Sequence, residues 1–342
     1  MQDLGIGVVG LGRLGYTHAY NIKKIPQVKL IAVCDQQGEL AQQVAEEMNC
    51  AWYTDLRKML ENKDIQAVCV VTPTAHHVEP VTAVVQAKKP LFCEKPLASS
   101  MADNLRLAEL IKQSGIKCQI GFQRRFDPAH AEAQRLIREG GIGKPVYING
   151  FSRDPFPPPP WACDPSKGGG LYIDFLLHDF DMARFLMNDE VQTVFATDSN
   201  LVVDSEGIEG FADNAAVTLR FEGGSLANYH ASMHAGYGYD IRTEVFGSDG
   251  NIMIGDLHRS AVTRCTKEGG ISKPLTFQSQ GKLPHFMVRF TEAYALEMQA
   301  FVDCVLNDRP APISENDALK AFRIAVAAGE SARRGVPVAV DS

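Results

Sequence analysis

The most constraining feature of the chain is a glycine-rich segment near its beginning. The apolar run 6–9 leads directly into the segment Gly10–Gly15, GLGRLG, which matches the pattern G-x-G-x-x-G. In a strand–turn–helix unit the first glycine allows the tight turn, the second lets a pyrophosphate approach the backbone, and the third lets helix and strand pack closely. The segment therefore predicts a dinucleotide site at a helix N-terminus, where free amides attract phosphate oxygens.

The residues after this segment support the same interpretation, although 29 glycines in 342 residues also produce such spacings by chance. The stretch 16–25 is expected to form a helix that Pro26 ends, and 28–34 to form a second buried strand. That strand leads into Asp35, where this fold has a carboxylate that binds ribose hydroxyls. A loop aspartate that caps the next helix is the alternative. Because the segment 36–38 has no Arg or Lys to receive a 2′-phosphate, NAD is favoured over NADP.

Strand-like and helix-like segments alternate from Gly5 to about Ile120, which predicts a parallel, doubly wound sheet. The predicted strands are 5–9, 28–34, 66–71, 90–93 and 117–121, and the predicted helices are 13–24, 38–48, 76–88 and 101–113. Ligands of such sheets bind beyond the carboxyl ends of the strands. The segments 72–77 and 94–96 are therefore expected to face the dinucleotide.

The pattern changes after residue 122 and indicates a second domain. We expect helices at 129–139, 171–187, 289–306 and 317–333, an extended segment at 145–152, and antiparallel strands between 191 and 265 with a hairpin turn at 222–225. The predicted domains are 1–121 and 122–342, with C-terminal helices that can pack back on the first domain. The proline-rich segment 155–160 is expected to be either a stiff surface loop or a lid.

Composition excludes several classes of function. A net charge of −7 and the lack of a long basic run argue against a nucleic-acid partner. No apolar stretch is long enough to span a membrane, and the first residues do not resemble a secretion signal, so we expect a cytoplasmic protein. The eight cysteines form no C-x-x-C pair and are expected to be reduced core residues. The nine histidines have no metal-ligand spacing, and no metal is predicted.

Two further segments carry residues suited to proton transfer. In a helix, Asp174 and His178 would lie one turn apart on one face, with Asp181 three residues beyond. Burying a histidine beside carboxylates is costly unless they pair, and such groups tend to be functional when they line a cleft. A satisfied core histidine is the alternative. Lys95 follows a buried strand and precedes Pro96, so its ammonium is either at the surface or able to reach a substrate hydroxyl.

Together these segments resemble the glucose–fructose oxidoreductase and inositol dehydrogenase (Gfo/Idh/MocA) family, and within it the inositol 2-dehydrogenase branch most closely. The resemblance covers nearly the whole chain and is carried by Gly10–Gly15 with His18, Thr72-Pro73, Glu94-Lys95-Pro96, Gly121–Asp127, Ser152–Pro155, Gly169-Gly170 and Asp174–Arg184. It implies an N-terminal Rossmann domain followed by an α/β domain with an open, mostly antiparallel sheet. It also implies a homotetramer assembled through that sheet.

The resemblance implies NAD-dependent oxidation of a secondary hydroxyl of a cyclic polyol, expected to be myo-inositol or its scyllo or chiro isomer, to the inosose. By this resemblance the catalytic residues are Lys95, Asp174 and His178. The expected cofactor-binding residues are Gly10, Gly12, Arg13, Leu14, Gly15, Asp35, Thr72, Pro73, His77, Glu94 and Lys95. The expected substrate contacts are Lys95, Arg124, Asp154, Asp174, His178, Asp181 and Tyr237.

Several alternatives stay open at this stage. The same residues could oxidise an aldose or another sugar, and some members of the family are regulators that bind a dinucleotide without catalysis. Arg124 could instead anchor the domain junction, and Asp181 could pair within its helix. His77 could belong to the start of a helix.

Overall fold

The computed structural model describes residues 3–155, 169–203, 208, 210–255, 259–266, 269–278 and 286–341. The chain forms two compact units. The first comprises Met1–Gln123 with Tyr294–Leu319, and the second comprises Arg124–Ala293 with Lys320–Ser342. The predicted proline-rich segment lies outside the described residues from 156 onwards. No helix in the described ranges is long and apolar enough to cross a membrane.

The described residues of the first unit contain a parallel sheet of six strands, in the order β3-β2-β1-β4-β5-β6. The strands are β1 (Leu4–Val9), β2 (Val28–Cys34), β3 (Ala51–Tyr53), β4 (Ala67–Val70), β5 (Leu91–Glu94) and β6 (Cys118–Gly121). The predicted doubly wound sheet is thus confirmed. The strand order reverses between β1 and β4, so Gly10 and Thr72 follow the two strands of the switch point, where open α/β sheets bind ligands.

Five described helices lie between the strands of this sheet. They are α1 (Arg13–Lys24), α2 (Gly38–Met48), α3 (Leu56–Glu61), α4 (Val78–Gln86) and α5 (Met101–Ser114). In α1 four of the five buried residues, Gly15, His18, Ala19 and Ile22, follow the spacing of one helix face. The predicted helix 76–88 is wrong at its start, because residues 74–76 form a separate 3₁₀ turn that begins directly after Pro73.

The second unit contains a sheet of nine strands among its described residues, in the order β14-β13-β12-β11-β7-β10-β9-β8-β15. The strands are β7 (Pro145–Arg153), β8 (Val191–Ser199), β9 (Asn214–Phe221), β10 (Leu226–Ser232), β11 (Asp240–Gly247), β12 (Gly250–Ile254), β13 (Arg259–Thr266), β14 (Gly269–Gln278) and β15 (Val338–Ala339). Strands β7 and β10 pair in parallel, and the other described pairs are antiparallel. The open, mostly antiparallel sheet and the hairpin turn 222–225 are confirmed.

Five further helices complete the described chain: α6 (Pro128–Arg138), α7 (Leu177–Met187), α8 (Phe286–Arg289), α9 (Thr291–Leu306) and α10 (Glu315–Arg334). Most of α9 belongs to the first unit. Its residues Met298, Phe301 and Val302 join the same buried cluster as Ile6 and Val8 of β1. This late segment therefore completes the core under the first sheet.

Candidate functional site

The three glycines of the Gly10–Gly15 segment have different surroundings. Gly10 has φ +87°, and a Cβ built there would lie 2.7 Å from the amide nitrogen of Thr72. A Cβ on Gly15 would lie 1.8 Å from the carbonyl oxygen of Gly10, so the close packing of α1 on β1 needs glycine there. A Cβ on Gly12, in contrast, would meet no described atom within 4 Å. Gly12 therefore leaves its backbone open to a pyrophosphate.

The N-terminus of α1 is suited to an anion. Helices α3 and α5 begin with side-chain caps, from Asp55 and Ser100. Among the described residues, α1 has neither a capping side chain at Gly12 nor an acidic residue in its first turn. The first amides of a helix have no intrahelical acceptor, and the helix dipole favours a negative charge there. The residues of this loop fit the phosphates of a dinucleotide.

Asp35 lies at the end of β2 and is half-buried. Its Oδ2 accepts a hydrogen bond from the backbone amide of Leu11 over 2.8 Å, and its Oδ1 accepts one from the amide of Gln37 over 2.9 Å. The carboxylate thus holds the glycine-rich loop and the start of α2 together. Its contact with a ribose stays a prediction.

The segment after β5 is held from within the first unit. Glu94 turns its carboxylate into the interior, where Oε1 lies 2.7 Å from Nε2 of His18. The other oxygen accepts a hydrogen bond from the amide of Lys95 over 3.2 Å. Lys95 itself is half-buried directly after the strand. A role of the Glu94 side chain in cofactor binding stays a prediction.

His77 links two strand ends of the same sheet. Its buried imidazole lies with Nδ1 2.8 Å from the carbonyl oxygen of Pro96 and Nε2 2.7 Å from that of Thr72. Burial lowers the pKa of this imidazole. Both carbonyl oxygens are acceptors, so a ring with one N–H donates to one of them, and His77 lies between the segments that follow β4 and β5. It also directly precedes α4, as one alternative expected.

Three buried side chains of the first unit have donor atoms within 4.8 Å of one another: His18, Glu94 and Glu297. Distance alone would allow a metal ion among them. The hydrogen bond between His18 and Glu94, however, already uses one atom of each. The prediction of no metal stays a prediction. Glu297 is not among the predicted site residues, because the sequence shows it only as a carboxylate within an apolar helix.

In the second unit the predicted helix 171–187 is wrong in its first turn. Residues Leu171–Phe175 form a π-helical turn, closed by a bond from the amide of Leu176 to the carbonyl of Leu171 over 2.9 Å, and α7 begins at Leu177. The turn follows Gly169 and Gly170, whose φ values are +87° and +60°. Asp174 and His178 therefore do not follow regular α-helical spacing. Both are half-buried, and π turns recur at functional sites.

Arg124 and Asp181 have protein partners inside the second unit. Nη1 of Arg124 donates to Oδ1 of Asp179 over 2.9 Å, and both side chains are buried. Asp181 accepts a hydrogen bond from Nε of Arg125 over 2.8 Å and is 1% exposed. The two ion pairs neutralise the charges of Arg124 and Asp181, which were predicted as substrate contacts. Their contact with a substrate stays a prediction.

Asp154 and Tyr237 lie in one region of the second unit. The backbone of Asp154 bonds to Ser232 and Ala235 at the end of β10 and in the loop that follows. The hydroxyl of Tyr237, in the same loop, accepts from Arg153 over 2.8 Å and donates to Asp240 over 2.7 Å. The ring of Tyr237 is 48% exposed and can meet a ligand.

Comparison with known proteins identifies both halves of the chain. Residues 4–122 match the model described as "Oxidoreductase family, NAD-binding Rossmann fold", and residues 134–340 match "Oxidoreductase family, C-terminal alpha/beta domain". The predicted NAD-binding domain is thus confirmed at the level of the family.

Three similar proteins illustrate the match. The chain is 39% identical to scyllo-inositol 2-dehydrogenase (NAD(+)) of Bacillus subtilis, over 98% of this chain and 95% of that protein. It is 37% identical to myo-inositol 2-dehydrogenase of Thermotoga maritima, over 95% of each chain. The structure of scyllo-inositol dehydrogenase from Lactobacillus casei with bound NAD(H) and scyllo-inositol has a TM-score of 0.86 at 30% identity, and all of both chains is covered.

Proposed function

Because the chain belongs to the glucose–fructose oxidoreductase and inositol dehydrogenase (Gfo/Idh/MocA) family of oxidoreductases, we propose that it oxidises a secondary hydroxyl of an inositol to the inosose with NAD. The observation that carries the proposal is its near-full-length similarity to inositol 2-dehydrogenases. The chain also has Lys95, Asp174 and His178 in the segments that resemble the family's catalytic ones. A regulator without catalysis has no need of this set.

The loop Gly10–Gly15 and the N-terminus of α1 would hold the pyrophosphate, and Asp35 the adenosine ribose. When bound, NAD supplies the hydride acceptor, C4 of its nicotinamide. His178 takes the hydroxyl proton as the carbinol C–H bond breaks, so the substrate loses one proton and one hydride in total. Asp174 orients the imidazole and supports its positive form. General-base catalysis of this kind is typically worth about 10² to 10⁴ in rate.

Lys95 has the second catalytic task in this proposal. Its ammonium stabilises the negative charge that develops on the substrate oxygen while the proton leaves. A fixed charge acts at the moment of reaction without reorganisation of solvent. The half-buried position of Lys95 at a strand end supports this role.

An inositol presents hydroxyls all around its ring, and specificity requires several fixed partners. We propose that Asp154 and Tyr237 provide such partners, because Tyr237 is exposed and its hydroxyl is oriented by Arg153 and Asp240. Arg124 and Asp181 would support the substrate region through their buried ion pairs with Asp179 and Arg125.

The wider organisation is part of the same proposal. Residues 1–121 would bind NAD, and 122–342 would bind substrate and assemble a homotetramer through the second sheet. Large apolar side chains on its outer face support this, since Phe246, Tyr147 and Leu226 are register partners on three adjacent strands and Phe246 is 51% exposed. The seven cysteines in the described part are free thiols, as expected in the cytoplasm.

An activity panel tests the proposal. The purified protein is mixed with NAD and, separately, myo-, scyllo- and chiro-inositol, glucose and other aldoses, and NADH absorbance is followed. The proposal predicts the highest kcat/KM with an inositol. A preference for an aldose would favour the sugar dehydrogenase alternative. NADH binding without turnover on any polyol would favour the regulator.

A further inference from the structure

A buried cluster in the first unit has no task in the function proposed above. It consists of His18 on α1, Glu94 at the end of β5 and Glu297 on α9, which are 0%, 6% and 0% exposed. One imidazole nitrogen of His18 and one carboxylate oxygen of each glutamate lie within 4.8 Å of one another. Burial of ionisable groups destabilises the folded state unless the groups are paired. A cluster of this kind next to Lys95 therefore points to a task for its members.

Glu94 is held in one orientation by its surroundings. One carboxylate oxygen pairs with His18 over 2.7 Å, and the other accepts the amide of Lys95 over 3.2 Å. Gly121 is its register partner on β6, and a Cβ there would lie 3.0 Å from the carboxylate carbon. The carboxylate therefore fills a slot that a larger residue at 121 would close.

His18 is fixed in turn by aromatic rings. Its imidazole lies 5.1 Å from the ring of Phe92 and 5.8 Å, edge-on, from that of Tyr294. Among the described residues its Nδ1 has no hydrogen-bond partner, which assigns the proton of a neutral ring to Nε2, the donor to Glu94. The helix that carries His18 is also the one whose N-terminus suits the pyrophosphate.

Glu297 closes the third side of the cluster. Its backbone carbonyl accepts a hydrogen bond from Nε2 of Gln119 over 2.9 Å. Its two carboxyl oxygens have no hydrogen-bond partner in the described part of the chain. Burial and the negative charge of Glu94 raise the pKa of Glu297 well above its usual range. Burial at this position thus favours the neutral form of the Glu297 carboxyl.

We propose that Glu94, oriented by His18, is a positioning residue that fixes the backbone at Lys95 relative to helix α1. One hydrogen bond then couples the helix that binds the dinucleotide to the lysine that stabilises the alkoxide. The inference rests on the proposed function, because that function gives Lys95 its task. A misplacement of about 1 Å costs on the order of 100-fold in rate, so loss of this bond lowers kcat rather than cofactor affinity.

Four variants test the inference. His18→Leu removes the donor at similar volume, and Glu94→Gln is nearly isosteric and serves if His18→Leu does not fold. His18→Gln keeps a donor that can reach Glu94. Glu292→Gln, an exposed position on α9, is the matched control. For each variant we measure kcat with inositol, the Kd for NADH by fluorescence, and the NMR resonance of ¹³C-dimethylated Lys95 without cofactor, assigned with Lys95→Arg.

We expect His18→Leu and Glu94→Gln to lower kcat by at least about tenfold and to shift the Lys95 resonance. His18→Leu, which leaves Glu94 and its predicted cofactor contact in place, should also leave the Kd for NADH within about threefold. His18→Gln should restore most of kcat. An unmoved Lys95 resonance, or equal losses of kcat and NADH affinity in His18→Leu, would overturn the inference. If the wild type oxidises no polyol while the resonance still shifts, the proposed function fails and the link between His18 and Lys95 stands.

Discussion

The backbone amide of Leu11 donates a hydrogen bond to Oδ2 of Asp35 over 2.8 Å, so one carboxylate holds the glycine-rich loop to the end of β2. Asp35→Ala removes this bond together with the proposed partner of the adenosine ribose. We expect the Kd for NADH to rise at least about tenfold, which corresponds to about 1.4 kcal/mol. Fluorescence titration of NADH measures the change.

The control for this prediction is Glu39→Ala, an exposed position in the first turn of α2. It removes a nearby negative charge without touching the loop. NADPH affinity should fall less than NADH affinity in Asp35→Ala, because the carboxylate also repels a 2′-phosphate. Equal NADH affinity in Asp35→Ala and the wild type would contradict the assigned role.

Two glycine substitutions separate packing from binding. Gly15→Ala forces a Cβ to within 1.8 Å of the Gly10 carbonyl oxygen. We therefore expect the free energy of unfolding to fall by about 1 to 3 kcal/mol and the Tm to fall by several degrees. Gly12 has φ −60° and no described atom within 4 Å of an added Cβ, so the Tm of Gly12→Ala should stay near that of the wild type. Its NADH affinity should fall, because the added methyl group would occupy the space proposed for the pyrophosphate. Scanning calorimetry and NADH titration measure the two effects. The reverse pattern would show that the two glycines have been assigned the wrong roles.

Replacement of Arg124 tests whether this residue supports the second unit or contacts substrate. Arg124→Met leaves the buried Asp179 without its cation, and breaking such a pair costs about 3 to 5 kcal/mol. The Tm should fall, and the double variant Arg124→Met with Asp179→Leu should recover part of the loss. An unchanged Tm with a raised KM for inositol would instead make Arg124 a substrate contact.

Replacement of Phe246 on the exposed apolar face of the second sheet tests whether subunits assemble through this face. Phe246→Asp adds a charge where we propose that subunits meet, so sedimentation should show species smaller than a tetramer, with an unchanged circular dichroism spectrum. Leu201→Asp is the matched control, because Leu201 is 79% exposed and lies in the loop after β8. A Phe246→Asp protein that sediments like the wild type would contradict assembly through this face.

The first sheet could be predicted almost residue by residue, because its strands are short continuous apolar runs between helices of regular periodicity. Strand β3 and helix α3 were missed. Both residues at the start of β3, Ala51 and Trp52, are exposed, so this edge strand has no run of buried side chains that a pattern could reveal. The π turn at Leu171–Phe175 was also missed, since a widened turn has the same apolar residues as an α-helix.

The residues of the candidate site could be predicted only where they belong to a sequence motif or follow a predicted strand. Asp35 and the glycines have fixed spacing, and the strand-end position of Lys95 follows from the sheet. The pairs His18 with Glu94 and Arg124 with Asp179 join residues 76 and 55 positions apart, and pairing at such separations depends on the tertiary fold. The buried histidine on the apolar face of α1 was the one local signal.

The most direct test of the central claim is to follow the hydrogen that leaves the substrate. The protein is incubated with NAD and an inositol deuterated at its ring carbons, and the nicotinamide is examined by mass spectrometry and NMR. We predict NADH that carries deuterium at C4, a slower rate than with unlabelled inositol, and little product from His178→Ala, although this variant still binds NADH. NAD that stays oxidised with every inositol isomer, in a protein that binds NADH, would contradict the account.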